Sequence, residues 1–414
     1  MKLRSLAMVV SWVAAAVSGQ VLIGCEGATV TSSGGTGGSS DAGSSASSGS
    51  SGSASSSSGG SASSSSTGTS SSSSTGSTGS STGSASSGST GSSSGGQLFP
   101  SGTICNDSGT PRTPPATLKH LIVILEENEN FNQVAGQPTT PYLNSLMGQC
   151  GYASAYDDNC FGHNLVSLPH YLALTSGSNC NTGLDESGTG CITDDNDATA
   201  HTLSTTSIFE QVSSWKSYME SMPSGCDESS SGRYAAKHNP AAYYAALASC
   251  GSKDVGIAAI TCNASNTNTA CTTPSNAFTQ ALANDTLAKF TLISPNLNND
   301  MHDGTKTQAD NWLFTYLPLV FQSPAYLRGE VAVFILWDEQ ATSTFGGATP
   351  NLFISPYVTA GTVSPTAMNH FAVLRAWEDA LGISTHLGCA SGTKPGGGSC
   401  PAGSTADVRA ALHW

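Results

Sequence analysis

The clearest pattern in the chain is a set of short apolar runs rich in β-branched residues, several of which stop abruptly at acids. His120-Leu121-Ile122-Val123-Ile124-Leu125 runs into Glu126-Glu127-Asn128, and Val331-Ala332-Val333-Phe334-Ile335-Leu336 runs into Trp337-Asp338-Glu339. Runs of this length and composition predict buried strands over His120–Leu125, Val255–Ile260, Phe290–Ile293, Val331–Leu336 and Asn351–Ile354. Between them, the stretches Ser167–Thr175, Pro240–Ala248, Gln308–Phe321 and His370–Leu381 predict helices. Strands alternating with helices imply an α/β fold with a mostly parallel sheet covered on both faces. The Cys- and Asn-rich stretches Asn179–Asp197 and Cys262–Asn276 read as surface insertions.

In open α/β sheets, ligands bind beyond the carboxyl ends of strands. Two strands of one sheet that both end in carboxylates would gather four acids at one edge, where each raises the pKa of the others unless a cation neutralises them. An oxygen-rich set of this kind favours a hard ion, Ca²⁺, Mg²⁺ or Mn²⁺, with Zn²⁺ or Fe open if histidine joins. Ser167 opens a helix with Pro169 in its first turn, which is ordinary capping chemistry. A hydroxyl there also faces free backbone N–H groups and the positive end of the helix dipole, a setting that suits a phosphoryl group. Histidines open further elements: Asn299-Asp300-Met301-His302-Asp303 follows a strand, Lys237-His238-Asn239-Pro240 precedes a helical stretch, and Asn369-His370-Phe371 begins another.

Composition changes the picture at the N-terminus. Lys2 and Arg4 precede an apolar stretch, Leu6 to Val17, that reads as an export signal over residues 1–25. It closes on Leu22-Ile23-Gly24-Cys25, which resembles a bacterial lipobox with Cys25 as the lipidated residue. Residues 26–97 are almost wholly Ser, Gly, Thr and Ala, too polar to offset their ordering entropy, and read as a flexible linker. A folded domain of residues 98–414 is then expected outside the cytoplasm, tethered to a membrane through Cys25 or, if the leader is an ordinary signal peptide cleaved nearby, periplasmic or secreted. The 12 cysteines fit an oxidising compartment. Cys150 with Cys160, Cys180 with Cys191, Cys262 with Cys271 and Cys389 with Cys400 lie close in sequence and suggest local disulfides, without fixing connectivity. The net charge of −14 argues against a nucleic-acid partner and requires that a phosphate substrate meet local positive charge.

Taken in order, these segments resemble the bacterial phosphoesterase family of phospholipases C and acid phosphatases, within the alkaline-phosphatase superfamily. The resemblance rests on Glu127-Asn128-x-x-Phe131 with Gly136 following, Ser167-Leu168-Pro169-His170-Tyr171, Asn299-Asp300-Met301-His302-Asp303 with Asp310-x-Trp312-Leu313, Trp337-Asp338-Glu339, and Asn369-His370-Phe371-Ala372-Val373-Leu374-Arg375. It implies a three-layer α/β/α sandwich and hydrolysis of phosphate esters through a phosphoserine intermediate, on a small phosphate ester or a phospholipid.

By the same resemblance Ser167 would be the nucleophile, with Glu127, Asp338, Glu339 and Ser167 itself around a divalent metal and Asn128 on the metal or a phosphate oxygen. Asp300, His302 and His370 would line the opposite side, as a second metal site or as phosphate ligands and general acid. Lys237 and His238 would neutralise the transferring group. Glu127, not Glu126, is the acid that matches the motif. Departures are His170 where Asn is usual, His163 four residues before Ser167 where closer spacing is common, and no His between Glu339 and Asn351, where relatives carry one. Sulfatase chemistry is disfavoured because no Arg follows Ser167-x-Pro169-His170-Tyr171. The other reading is a catalytically silent surface lipoprotein that binds a ligand; it predicts loss of a metal-binding acid or of the hydroxyl, and none is missing.

Overall fold

The computed structural model describes residues 98–414 apart from 159–165, 182–189, 249, 342–347, 395–396 and 398. The expected export signal, the lipobox at Cys25, the Ser/Gly linker, Cys160 and His163 lie outside the described residues. None of the described helices is long and apolar enough to cross a membrane.

Among the described residues, eight strands form one sheet: β1 (His120–Glu126), β2 (Gly151–Ala153), β3 (Trp215–Glu220), β4 (Asp254–Ile257), β5 (Phe290–Ser294), β6 (Val331–Trp337), β7 (Asn351–Ile354) and β8 (Thr362–Ser364). The order across the sheet is β4-β3-β5-β1-β6-β7-β2-β8. All neighbours run parallel except at β7, which is antiparallel to both β6 and β2. β1 lies between β5 and β6, parallel to both, and from Leu121 to Glu126 every residue is buried. A strand covered on both faces must be apolar throughout, which is why these runs read continuously and do not alternate.

The helices form two groups that cover the sheet. Pro141–Gln149, Ala277–Ala283, Lys306–Phe321 and Pro324–Leu327 pack together, and so do Ser167–Ser176, Ile208–Gln211, His370–Ala380 and Val408–Leu412. The architecture is the expected mostly parallel α/β sandwich.

Four strand predictions agree to within a residue at either end, whereas β4 ends three residues earlier than expected. β3 was not foreseen, because Lys216, Ser217 and Glu220 interrupt its apolar pattern; Ser217 and Glu220 are nonetheless buried. The helix expected over Pro240–Ala248 is instead a pair of 3-10 turns, Pro240–Tyr243 and Ala245–Leu247. Consecutive Tyr243 and Tyr244 are both buried there, an arrangement that one face of an α-helix does not provide.

Five disulfides join described residues. Three are the close pairs, Cys180–Cys191, Cys262–Cys271 and Cys389–Cys400. Cys150 bonds Cys105 and not its sequence neighbour Cys160, and Cys226 bonds Cys250. This number of disulfides marks a protein that matures in an oxidising compartment, as exported proteins do.

Candidate active site

Parallel strands point their carboxyl ends the same way, so the segments that follow them meet at one edge. The register Glu126↔Trp337 between β1 and β6 sets Glu127 level with Asp338. Asn128 then turns the chain out of the sheet with φ 54°, a left-handed conformation that Asn tolerates better than most residues. Its backbone N–H donates to Asp338 Oδ1 at 3.2 Å, and its Nδ2 donates to Glu127 Oε2 at 3.4 Å. Glu127 N–H donates to the Asp300 carbonyl, which ties the end of β1 to the loop after β5.

Of the four acids expected at this edge, two, Glu127 and Glu339, reach Ser167, and Asp338 lies against Glu127 and Asn128. Glu126 is the last residue of β1 and by strand alternation projects to the other face of the sheet; its acidic neighbours are Asp300, Asp310 and Glu220. Glu127, one residue on, reaches the helix Ser167–Ser176. Ser167 Oγ donates toward Glu127 Oε2 and Glu339 Oε1, each at 3.2 Å. The hydroxyl is not the cap of its helix: Val166 occupies the N-cap position without a side-chain bond, and Ser167 is the first helical residue. Asp195 supplies the missing acceptor, taking the Leu168 N–H at 3.0 Å. At its far end the helix closes on Gly177 at φ 69°, where a Cβ would lie 2.5 Å from the Leu387 carbonyl oxygen, so glycine is required.

The remaining groups surround this core. Lys237 Nζ lies 2.8 Å from Asp195 Oδ2, 3.3 Å from His302 Nε2 and 3.5 Å from Ser167 Oγ. His238 stacks on Tyr171, the rings 5.3 Å apart and 4° from parallel. Its Nε2 stands 3.1 Å from Glu127 Oε1, and its Nδ1 is 3.3 Å from Asp300 Oδ2. Tyr171 donates its hydroxyl proton to Glu127 Oε1. His302 is half-buried; its Nδ1 pairs with Asp303 Oδ1 at 2.8 Å and its backbone N–H donates to Asp300 Oδ1.

His370 is placed differently. Both of its ring nitrogens are engaged, Nδ1 with the Tyr156 hydroxyl and Nε2 with the Asp338 carbonyl, each at 2.6 Å. It therefore stands behind Asp338, bracing the acid's backbone. His170, the residue in place of the usual Asn, directs Nδ1 toward Glu339 Oε2 at 3.9 Å.

Electrostatics sharpen the reading. Burial, then Asp338 and Asp300, push the Glu127 carboxyl well above its ordinary value. Asp300 is raised by burial, against a bond from the His302 N–H, with Asp338 adding to the rise. Glu339 is pushed up to about 9 by burial and then by Asp338 and Asp195. His238 is pulled well below its ordinary range, chiefly by burial and then by Lys237 and His302. The neutral imidazole is the form that ligates metals.

Buried acids this close cannot all ionise without a compensating cation. Asp338 Oδ2 is buried without a hydrogen-bond partner, and the contacts of His238 Nε2 with Glu127 and of Asp300 Oδ2 with His238 lack hydrogen-bond geometry. Ligand atoms of Glu127, His238 and His302 lie within 4.8 Å of one another. Carboxylates, a hydroxyl and a neutral imidazole with open lone pairs are a donor set that fits a divalent metal ion. Among the described residues the other grouping of this kind, Cys226, Cys250 and Asp254, is excluded because its two cysteines form a disulfide.

Sequence reasoning overlooked three residues. Tyr171 lies four positions after Ser167 and hence on the same helix face, a spacing that carried the signal. Tyr156 and Asp195 come from loops, and nothing in their spacing points to the site.

A family model described as the phosphoesterase family matches residues 152–384. The chain is 26% identical over 268 residues to a phosphatidylinositol-3-phosphatase of Mycobacterium tuberculosis (strain ATCC 25618 / H37Rv), an alignment covering 64% of this chain and 78% of that protein. Among solved structures, it is similar to a protein in the alkaline phosphatase superfamily from Vibrio parahaemolyticus, at 15% identity and TM-score 0.39, covering 68% of this chain and 72% of that one. It is also similar to the lipoteichoic acid synthase LtaP from Listeria monocytogenes, at 13% identity and TM-score 0.39, covering 68% and 76%.

Proposed function

The chain belongs to the phosphoesterase family, hydrolases of phosphoric ester bonds, and from that premise we propose that it cleaves phosphate monoesters through a phosphoserine formed on Ser167 with a divalent metal bound beside it. The observation that carries this reading is the Ser167 hydroxyl at a helix start, 3.2 Å from both Glu127 and Glu339, with the Lys237 ammonium 3.5 Å away. A divalent ion held by Glu127, Asp338, Glu339 and Ser167, with Asn128 beside it, would help ionise the hydroxyl and polarise a phosphate oxygen.

The chain's own residues account for the rest. Ser167 Oγ, its proton released to solvent, bonds to phosphorus while the ester oxygen leaves. Lys237 neutralises the negative charge of the transferring group. His302, its Nδ1 fixed by Asp303 and its Nε2 accepting from Lys237, steadies the ammonium on the side of the departing ester oxygen, which takes its proton from solvent. Asp300 and His238 line the same side. A water molecule then displaces Ser167 from phosphorus, releasing phosphate and restoring the hydroxyl.

The relative named for phosphatidylinositol 3-phosphate supports a monoester, including one carried on a lipid headgroup. Tethering through Cys25 would keep such a headgroup within reach. The test compares the full chain on an aryl monophosphate, a bis-aryl phosphate and phosphatidylcholine, with and without chelator. Hydrolysis should be fastest on the monophosphate and lost with chelator. Ser167→Ala should lower it roughly 10³-fold or more and abolish the phosphoryl label found on Ser167 by mass spectrometry. An active Ser167→Ala protein would overturn the nucleophile assignment, and preference for phosphatidylcholine would overturn the monoester assignment.

A further inference from the structure

Lys237 carries its charge on a flexible four-carbon stem, in a site crowded with acids that could each draw it away from the nucleophile. What fixes it is Asp195. One carboxylate oxygen, Oδ2, pairs with Lys237 Nζ at 2.8 Å, and the other, Oδ1, accepts the N–H of Leu168 at 3.0 Å. Leu168 follows Ser167 directly and belongs to the first turn of the same rigid helix. A single carboxylate thus bridges the ammonium and the backbone that presents the hydroxyl. With one donor of Nζ held by Asp195, the others face Ser167 Oγ at 3.5 Å and His302 Nε2 at 3.3 Å.

The bridge also has a local anchor. Asp195 lies four residues beyond Cys191, whose disulfide to Cys180 closes the loop that follows the nucleophile's helix. Two side-by-side bonds to one carboxylate restrict both partners more than either contact alone would.

We propose that Asp195 is a positioning residue for phosphoryl transfer: it clamps Lys237 at a set distance from the Ser167 hydroxyl by binding the ammonium with one oxygen and the nucleophile's helix with the other. This rests on the phosphoserine reading above. Positioning of a charged group matters most where charge moves in the transition state, so loss of the clamp acts mainly on kcat and less on KM.

The experiment is a double-mutant cycle on the full chain with aryl monophosphate, using Asp195→Ala, Lys237→Ala and the pair, alongside Asp195→Asn and Ser167→Ala. Asp195→Ala should lower kcat about 10- to 100-fold while KM changes less than about threefold. In the Lys237→Ala background the same change should cost less than about threefold, because the residue acts through that lysine. Asp195→Asn keeps one acceptor oxygen and turns an NH2 donor toward the other partner, so it breaks the bridge while keeping the side chain's shape and should lower kcat in the same direction as Asp195→Ala. Unchanged kcat in Asp195→Ala, or an equal loss in both backgrounds, would overturn the proposal. If Asp195→Ala fails to fold, the Asp195→Asn and Lys237→Ala cycle decides it by the same criterion of non-additivity. Ser167→Ala keeps the two readings apart: an active Ser167→Ala enzyme removes the nucleophile, whereas an inactive one with an indifferent Asp195 removes only the clamp.

Discussion

The two faces of the sheet at its carboxyl edge are both acidic, yet their acids do different things. On one face, Asp310 accepts the Tyr142 and Leu143 N–H groups at 3.0 and 2.8 Å, and Glu220 accepts the Ile260 and Asn296 N–H groups together with Asn299 Nδ2. These carboxylates are bound by donors on the polypeptide and join elements to one another: Asp310 fastens the start of the Pro141–Gln149 helix to the long helix Lys306–Phe321. On the other face, Glu127 and Glu339 converge on one hydroxyl, while Asp338 leaves a buried oxygen without a donor. Burial alone does not separate a structural acid from a functional one. Free lone pairs alone do not either, since Glu126 on the first face leaves both oxygens without a donor; convergence of two acids on one hydroxyl does.

The sharpest way to break that comparison is to neutralise one acid on the reactive face. Glu127→Gln and Asp338→Asn should each lower hydrolysis of an aryl monophosphate by about 10²- to 10³-fold. With chelator present, neither should lower Tm, since burial already favours the neutral acid and the amide keeps its shape. Divalent metal should raise the wild-type Tm by mass action and do so much less in the variants. Variants that unfold more readily in chelator would place these acids with the structural set.

The opposite substitution tests the other face. Asp310→Ala leaves two first-turn N–H groups of the Pro141–Gln149 helix without their acceptor and should cost about 1–2 kcal/mol in urea unfolding, the usual range for a lost helix cap. Its kcat on aryl monophosphate should stay within about threefold of wild type, because Asp310 bonds to backbone and to nothing at Ser167. A large loss of activity without loss of stability would erase the distinction.

How far these roles could be read in the sequence depends on what each residue's signal is. β1, β5, β6 and β7 were legible because strands buried on both faces leave unbroken apolar runs. β3 was not, since Glu220 is buried by donors that arrive from distant loops at Ile260, Asn296 and Asn299. Glu127, Asp338 and Glu339 were legible as acids ending such runs, and Ser167 as a helix start. The separation of Glu126 from Glu127 follows from strand alternation. Asp310 illustrates the limit: its place in the Asp310-x-Trp312-Leu313 motif marks it as characteristic of the family, but not that its partners are backbone groups. Asp195 had no signal, because its role exists only where a loop meets Lys237 and the first turn of another helix.

Isolated buried acids away from the edge give the finest test. Asp254 bonds Asn239 through one oxygen and Glu378 bonds the Leu387 N–H through one; the second oxygen of each has no donor. Burial pushes Asp254 up to about 7 and Glu378 up to about 8, so in the folded protein each stays protonated below its own value. In the unfolded chain they ionise near ~4. Between these values the folded state holds more protons than the unfolded state, so their contribution makes stability fall as pH rises from ~4 through the folded values, and level off on either side. Urea unfolding in chelator should therefore show wild type more stable at pH 5 than at pH 8. Asp254→Asn and Glu378→Gln should each shrink that difference without altering the chelator-free rate on aryl monophosphate beyond about twofold. Unchanged pH slopes in both variants would mean that these acids are ionised in the fold, and that an unpaired buried oxygen does not by itself keep a carboxyl neutral here.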